Sequence, residues 1–353
     1  MSGDKPKPAP FSRPACWARG LADVFRRHPT LWPFTAMIAL LAWNILFTPN
    51  FMNFEVHEGR LFGSIVSILQ KGAPVMLLAI GMTLVIGLGG IDISVGSVMA
   101  MAGTVTALLI AGQGLPAPVA VLAGLGVALL AGAWNGALVT FVGLQPIIAT
   151  LVLLMGGRGI AQALTGDQNV PFTSPAMEYL STRPFLYLPI PIFIVLGVTL
   201  VVMLALHKTV LGLYIEAIGG NAKAARLAGL PVHGVRLLVY AFCGLCAGLA
   251  GVINTADIQR ADVANCGLYL ELDAILAVVI GGTSFAGGRP YLVGAIFGAI
   301  IMRMLTTMLL MHNVPTEKTL IVKAVVAIAV CLIQTPAFAG FMGRLRLGRA
   351  RQA

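Results

Sequence analysis

Charge is what this chain of 353 residues has least of: 10% of it is Asp, Glu, Lys or Arg, against about a quarter in soluble domains. A further 58% is hydrophobic. The deficit excludes a water-solvated surface over most of the chain and makes lipid its main solvent. Between Lys71 and Arg158 the single ionisable side chain is Asp92.

Other absences narrow the function. No Gly-Lys dipeptide occurs, so a phosphate-binding loop of the GxxxxGK[ST] type cannot form and the chain does not hydrolyse ATP alone. HExxH, GxSxG and a paired intramembrane carboxylate are missing as well, which argues against intramembrane hydrolysis. Cysteines number five. Cys243 and Cys246 form a CxxC, but it lies in the apolar helical run "LLVYAFCGLCAGLAGVI" without two further ligands nearby, so they read as small apolar residues and no metal or redox site is assigned.

What is present is a series of apolar runs from Leu31 to Pro336, each near the roughly 20 residues a transmembrane helix needs. They are apolar on every face, as in "APVAVLAGLGVALLAGAWNGALV", where barrel strands would alternate. The expected fold class is an all-α membrane protein, a polytopic bundle of about ten transmembrane helices. Among the runs are Leu31 to Phe47, Gly72 to Leu88, and a short eighth one from about Leu272 to Ile280. "LFGSIVSILQ" reads as a separate interfacial helix ahead of the second.

The net charge of +10 is concentrated at the two ends, Lys5 to Arg27 and Arg344 to Arg351, and so implies no nucleic-acid partner. The positive-inside rule puts both termini in the cytoplasm and requires an even number of crossings. The domain reading is a basic tail 1–30, a transmembrane region 31–336 and a basic tail 337–353. Residues 207–236 form a cytoplasmic loop, with Lys208, Lys223, Arg226 and Arg236 against Glu216. Within it the spacing predicts a short helix from Asn221 to Ala228, with Asn221 as N-cap and Gly229-Leu230-Pro231 as the stop. Its alanines Ala222, Ala224, Ala225 and Ala228 suit a docked face better than a lipid headgroup loop.

Asp92 sits in "GLGGIDISVGS". One reading is a structural cap that accepts backbone N–H bonds at the start of the third span; the other is a gate that binds a ligand's hydroxyls or coordinates movement. The glycines around it favour the cap. "GGIDISVG" (89–96) and "GGRPYLVG" (287–294) share a GG-x4-VG pattern, and glycine-interrupted helices in corresponding positions point to a transporter pathway. In so large a set of glycines chance explains the echo equally well.

Three segments together, "MTLVIGLGGIDISVGSVMAMAGTV", "LGLYIEAIGGNAKAARLAGLPV" and "LELDAILAVVIGGTSFAGGR", resemble the permease subunits of ribose/xylose/galactofuranose-type bacterial ATP-binding cassette (ABC) sugar importers. The similarity runs from about Gly59 to Gln334. "AGAWNGALV" and "DIQRADVANCGLYLELDAILAVVIGG" look most like the galactofuranose type. The resemblance implies a multi-pass inner-membrane protein with three partners beyond membrane lipid: a second permease subunit (a paralogue or a second copy), an ABC ATPase subunit carrying ATP and Mg, and a periplasmic sugar-binding protein. It implies no cofactor on this chain. It also implies an ATPase-coupling segment from Glu216 to Leu230, with Glu216, Ala217, Gly220, Asn221, Ala224, Ala225, Arg226 and Gly229 as candidate residues. The importer EAA pattern is only partly kept, since Ile218 replaces its second alanine and Ala222 its glycine.

A neutral, hydroxyl-rich cargo asks for hydrogen-bonding groups in the membrane, and Asp92, Ser94, Asn135 and Gln145 are the candidates for pathway or helix break. The competing class is an ion-coupled secondary sugar transporter, which would place several ionisable groups at midmembrane. An enzyme acting on lipid-linked sugar would need a positioned acid, base or metal that the sequence does not offer.

Overall fold

The computed structural model describes residues 31–48, 51–52, 55–57 and 60–334. The tails expected at 1–30 and 337–353 lie outside the described residues. Helix α1 (Leu31–Phe47) leads through the hairpin β1 (Glu55–His57) and β2 (Arg60–Phe62), with Val56 opposite Leu61, into α2 (Ser64–Gly87). There follow α3 (Val95–Ala111), α4 (Ala117–Ala137, prolonged by a π-helical turn Leu138–Val142) and α5 (Pro146–Thr165). β3 (Val170–Pro171), α6 (Pro175–Thr182), and β4 (Pro184–Phe185) with β5 (Leu188–Pro189) fill the connection to α7 (Ile190–Lys208). The remaining elements are α8 (Leu211–Gly220), α9 (Ala222–Leu227), α10 (Val232–Ile258), β6 (Arg260–Ala261), α11 (Leu270–Ile280), α12 (Leu292–Met311) and α13 (Thr316–Gln334).

The protein is a polytopic helical membrane protein. Among the described residues six helices are long and apolar enough to cross a membrane: α2, α4 with its π turn, α5, α7, α10 and α12. α1 and α3 are apolar but shorter, with 17 residues each.

Two sequence expectations change. "LFGSIVSILQ" is not a separate interfacial helix, because "SIVSILQ" begins α2, a single helix of 24 residues. Nothing in "SIVSILQKG" stops a helix, and Pro74 removes one hydrogen bond without ending it. The expected eighth span is α11, whose 11 residues reach about 17 Å at 1.5 Å per residue, roughly half of a hydrocarbon core of about 30 Å. It stops at Gly281-Gly282, where Gly282 has φ +95°, a left-handed conformation that favours glycine.

α2 and α10 form the centre, buried along most of their length. Small residues let their backbones approach: a Cβ on Gly81 would stand 3.0 Å from the Cys243 Cα and 3.2 Å from the Cys246 Cβ. The CxxC is thus part of a helix-packing surface, in which small residues replace the hydrophobic drive that lipid does not supply. By contrast α4, α5 and α7 leave large apolar side chains uncovered, among them Leu130, Met155 and Leu200, as a lipid-facing helix must.

Candidate functional site

Chain segment 88–94 interrupts the helical path between α2 and α3, and Asp92 is its polar centre. The carboxylate is 1% exposed, and its Oδ1 accepts the Ser94 backbone N–H at 3.0 Å, the Ser94 hydroxyl at 2.6 Å and the Asn135 amide at 3.4 Å. The same Asn135 amide donates to Ser94 Oγ at 2.8 Å. Ser94 occupies the N-cap position and makes no side-chain cap bond to α3, and the backbone N–H that Asp92 accepts where the third span begins is that of Ser94. Asp92 acts two residues earlier, by fixing the turn that delivers Ser94. A buried carboxylate is tolerated here because hydrogen-bond donors surround it.

Asp92, Ser94 and Asn135 thus come together in one buried network, in which Ser94 and Asn135 are fully covered. Gln145 does not join it. It stands exposed at the N-cap of α5. Cys243, read in the sequence as a small apolar residue, packs against Gly81.

The second glycine-rich segment, 281–291, lies against the first. Gly288 N–H donates to the Gly87 carbonyl at 2.9 Å, and Thr283 Oγ1 accepts the Tyr291 N–H at 3.1 Å across the interruption before α12. The two halves of the GG-x4-VG echo meet in space, which no local signal reveals. A third segment completes the junction: a Cβ added to Gly219 of α8 would collide with the Gly87 carbonyl and the Gly288 N–H. Three backbones touch at positions 87, 219 and 288 because none carries a side chain.

The expected short helix is α9. Asn221 Oδ1 accepts the backbone N–H groups of Lys223 at 3.1 Å and Ala224 at 3.0 Å, an N-cap arrangement. Gly229, with φ +83°, ends it: Leu230 N–H donates to the Ala225 carbonyl and Gly229 N–H to the Arg226 carbonyl, both at 3.1 Å, the two bonds of a Schellman stop. Ile215 and Ile218 are buried and hold α8 to the bundle. Glu216, Ala217, Gly220, Asn221, Ala224, Arg226 and Gly229 face outward, whereas Ala225 is buried.

A cavity opens at each end of the α2–α10 pair. One, of about 420 Å³, lies beside the first interruption and α9 and includes Gln145, Arg226, Arg236 and Tyr240 in its wall. The other, of about 340 Å³, lies where α2 begins and α10 ends and is lined by Gln70, Lys71, Asn254, Asp257, Asn265 and Arg303 among others. Its wall is pinned by Asp257, which accepts the Ser181 hydroxyl at 2.8 Å and the Gln70 amide at 3.4 Å. Arg158 clamps the neighbouring connection by donating to the carbonyls of Val263, Ala264 and Cys266 at 3.1 to 3.2 Å. No single motif gathers these residues, which are scattered over several elements and come together only in the fold.

Two carboxylates near the start of α11, Glu271 and Asp273, are buried. Lys323 of α13 donates to Asp273 at 2.6 Å, so one of the two is committed to a structural ion pair. Burial pushes the Cys266 thiol in the connection before α11 up to about 12, so the reactive thiolate is scarce near neutrality. Cys266 is therefore expected to resist maleimide at pH 7.5 in the folded protein and to react after denaturation, as peptide mass spectrometry would read.

Residues 64–331 match the family described as "Branched-chain amino acid transport system / permease component". The chain is 45% identical over 321 residues to the galactofuranose transporter permease protein YtfT of Escherichia coli, covering 91% of this chain and 94% of that one. It is 37% identical to the fructose import permease protein FruF of Bifidobacterium longum (91% and 92% covered) and 38% identical to the ribose import permease protein RbsC of Escherichia coli (84% and 91% covered). With the match spanning nearly every described helix and both glycine-rich interruptions, the chain belongs to this family of transport-system permease components, and its role is that of an ABC importer permease.

Proposed function

We propose that the protein is the membrane-spanning subunit of an inner-membrane ABC importer that passes a neutral monosaccharide, galactofuranose or a related pentose or hexose, received from a periplasmic binding protein. The observation that carries this reading is the docking of α8, through Gly219, onto both glycine-rich interruptions at once. A push on α8 and α9 from a partner ATPase is thereby applied directly to the two places where the helical path is broken. The outward residues Glu216, Ala217, Gly220, Asn221, Ala224 and Gly229 form the face such a partner would meet, while Arg226 lines the cavity beside Gly89 and Gly90. ATP and Mg belong to that partner, and this chain binds no cofactor. The 45% identity to a galactofuranose permease supports the sugar class.

In this reading the transmembrane region 31–336 makes ten crossings with both basic tails in the cytoplasm, α11 and the connection before it together completing one traverse. The cavity near Asp257 and Asn254 then faces the periplasm, and its amide and carboxylate groups suit sugar hydroxyls. A second permease subunit, a paralogue or another copy, covers part of the uncovered apolar surface. Alternating access follows if sugar and ATP bind the outward and inward forms with different affinity.

The test is uptake of radiolabelled galactofuranose, ribose and fructose by proteoliposomes holding this chain, its permease partner and the ATPase, with binding protein outside. Uptake is expected only with ATP on the ATPase side. Uptake driven by a proton or sodium gradient through this chain alone would establish the secondary-transporter alternative instead.

A further inference from the structure

The 420 Å³ cavity beside α9 has a chemistry that a neutral sugar does not call for. Arg226, Arg236 and His233 line it and no carboxylate does. Neither guanidinium has an ion-pair or hydrogen-bond partner among the described residues. Three residues of its wall, Thr140, His233 and Tyr240, each carry a buried polar atom (Oγ1, Nδ1 and Oη) without a protein partner, although such groups are usually satisfied. The nearest acid, Asp92, sits behind Gly90 and Tyr240 with its Oδ1 already occupied by Ser94 and Asn135. The volume falls in the range of about 300 to 1,000 Å³ typical of small-molecule sites.

We propose that this cavity is a regulatory site for a phosphate monoester of a sugar. Arg226 and Arg236 would hold the phosphate, whose planar guanidinium partners are the favoured donors for it. Gln145, exposed in the same wall, would meet a hydroxyl of the sugar. Such a compound is the product of an ATP-dependent sugar kinase, the class of reaction that consumes an imported neutral monosaccharide. Bound there, it would bridge α9 and the first turns of α10 to the Gly89-Gly90 interruption, and so hold the coupling segment and the broken path in one arrangement. Its affinity and the transport cycle are then linked reciprocally. The feedback role rests on the importer reading; the anion site does not.

The experiment uses the full chain in nanodiscs of neutral phosphatidylcholine and measures binding of ribose 5-phosphate and fructose 6-phosphate by titration calorimetry. The esters should bind at least tenfold more tightly than ribose and fructose. Arg236→Gln and, independently, Arg226→Gln should each weaken ester binding at least tenfold, while Lys208→Gln, outside the cavity, should not. Equal affinity for ester and free sugar, or binding indifferent to both arginine variants, overturns the proposal. So does a site that takes no soluble ester in neutral discs but protects Arg226 and Arg236 from phenylglyoxal when phosphatidylglycerol is present, since it would then be a lipid-headgroup site. Loss of ATP-driven uptake by the unaltered complex would sink the importer reading and leave these binding results standing.

Discussion

Replacing Gly219 by alanine is expected to lower ATP-driven sugar uptake at least about tenfold while the ATPase of the complex continues to turn over. The added methyl group would occupy the space of the Gly87 carbonyl and the Gly288 N–H. Both obstacles are backbone, so neither can swing aside as a flexible side chain would. Overpacking of this kind costs roughly 1 to 3 kcal/mol, and a change of about 1.4 kcal/mol is a factor of ten in an equilibrium. The strain falls on the one point where α8 touches both interruptions, so it should separate hydrolysis from transport. The neighbouring Gly220→Ala meets nothing within 4 Å and should keep the melting temperature of the unaltered protein. If Gly219→Ala supported normal uptake, the junction would not transmit motion.

Asp92 carries the second large effect. Asp92→Ala leaves the Ser94 N–H, the Ser94 hydroxyl and part of the Asn135 amide without an acceptor. Each buried group stranded in this way costs about 1 to 3 kcal/mol, so the variant should be strongly destabilised in thermal unfolding and poorly accumulated in the membrane. Asp92→Asn keeps an oxygen in place of Oδ1 and should fold close to normally, with uptake retained. Folded Asp92→Asn protein that assembles with its partners yet transports nothing would show that the charge itself acts on cargo or gating, beyond holding the turn.

Much of the local design could be read before any tertiary contact was known. The capped helix after Asn221 and its stop at Gly229 follow from short-range chemistry: a side-chain oxygen two and three residues from open N–H groups, then a residue free to take positive φ. The break around Asp92 was legible because an isolated carboxylate in an apolar run needs neighbours to satisfy it. Its partners were less so. Asn135 is 43 residues away along the chain and on another helix.

Helix limits show the same division. The start of α2 at Ser64 was missed because a polar pair, Gln70-Lys71, looks like an interface in sequence while the helix runs through it unbroken. α11 is short because Gly281-Gly282 stops it, and Asp273 stays buried because Lys323, from α13, neutralises it.

By itself, then, the sequence determined that this is a helical membrane protein with glycine-rich interruptions and one capped basic loop, since hydropathy, charge placement and turn chemistry act over a few residues. Only the tertiary structure decided that the loop rests on both interruptions, that Asp92 serves Ser94 and Asn135, and that two arginines face a common cavity. Most of these depend on segments that are distant along the chain, 43 residues for Asp92 and Asn135 and more than a hundred for Gly87 and Gly219, where close approach is set by how the helices cross.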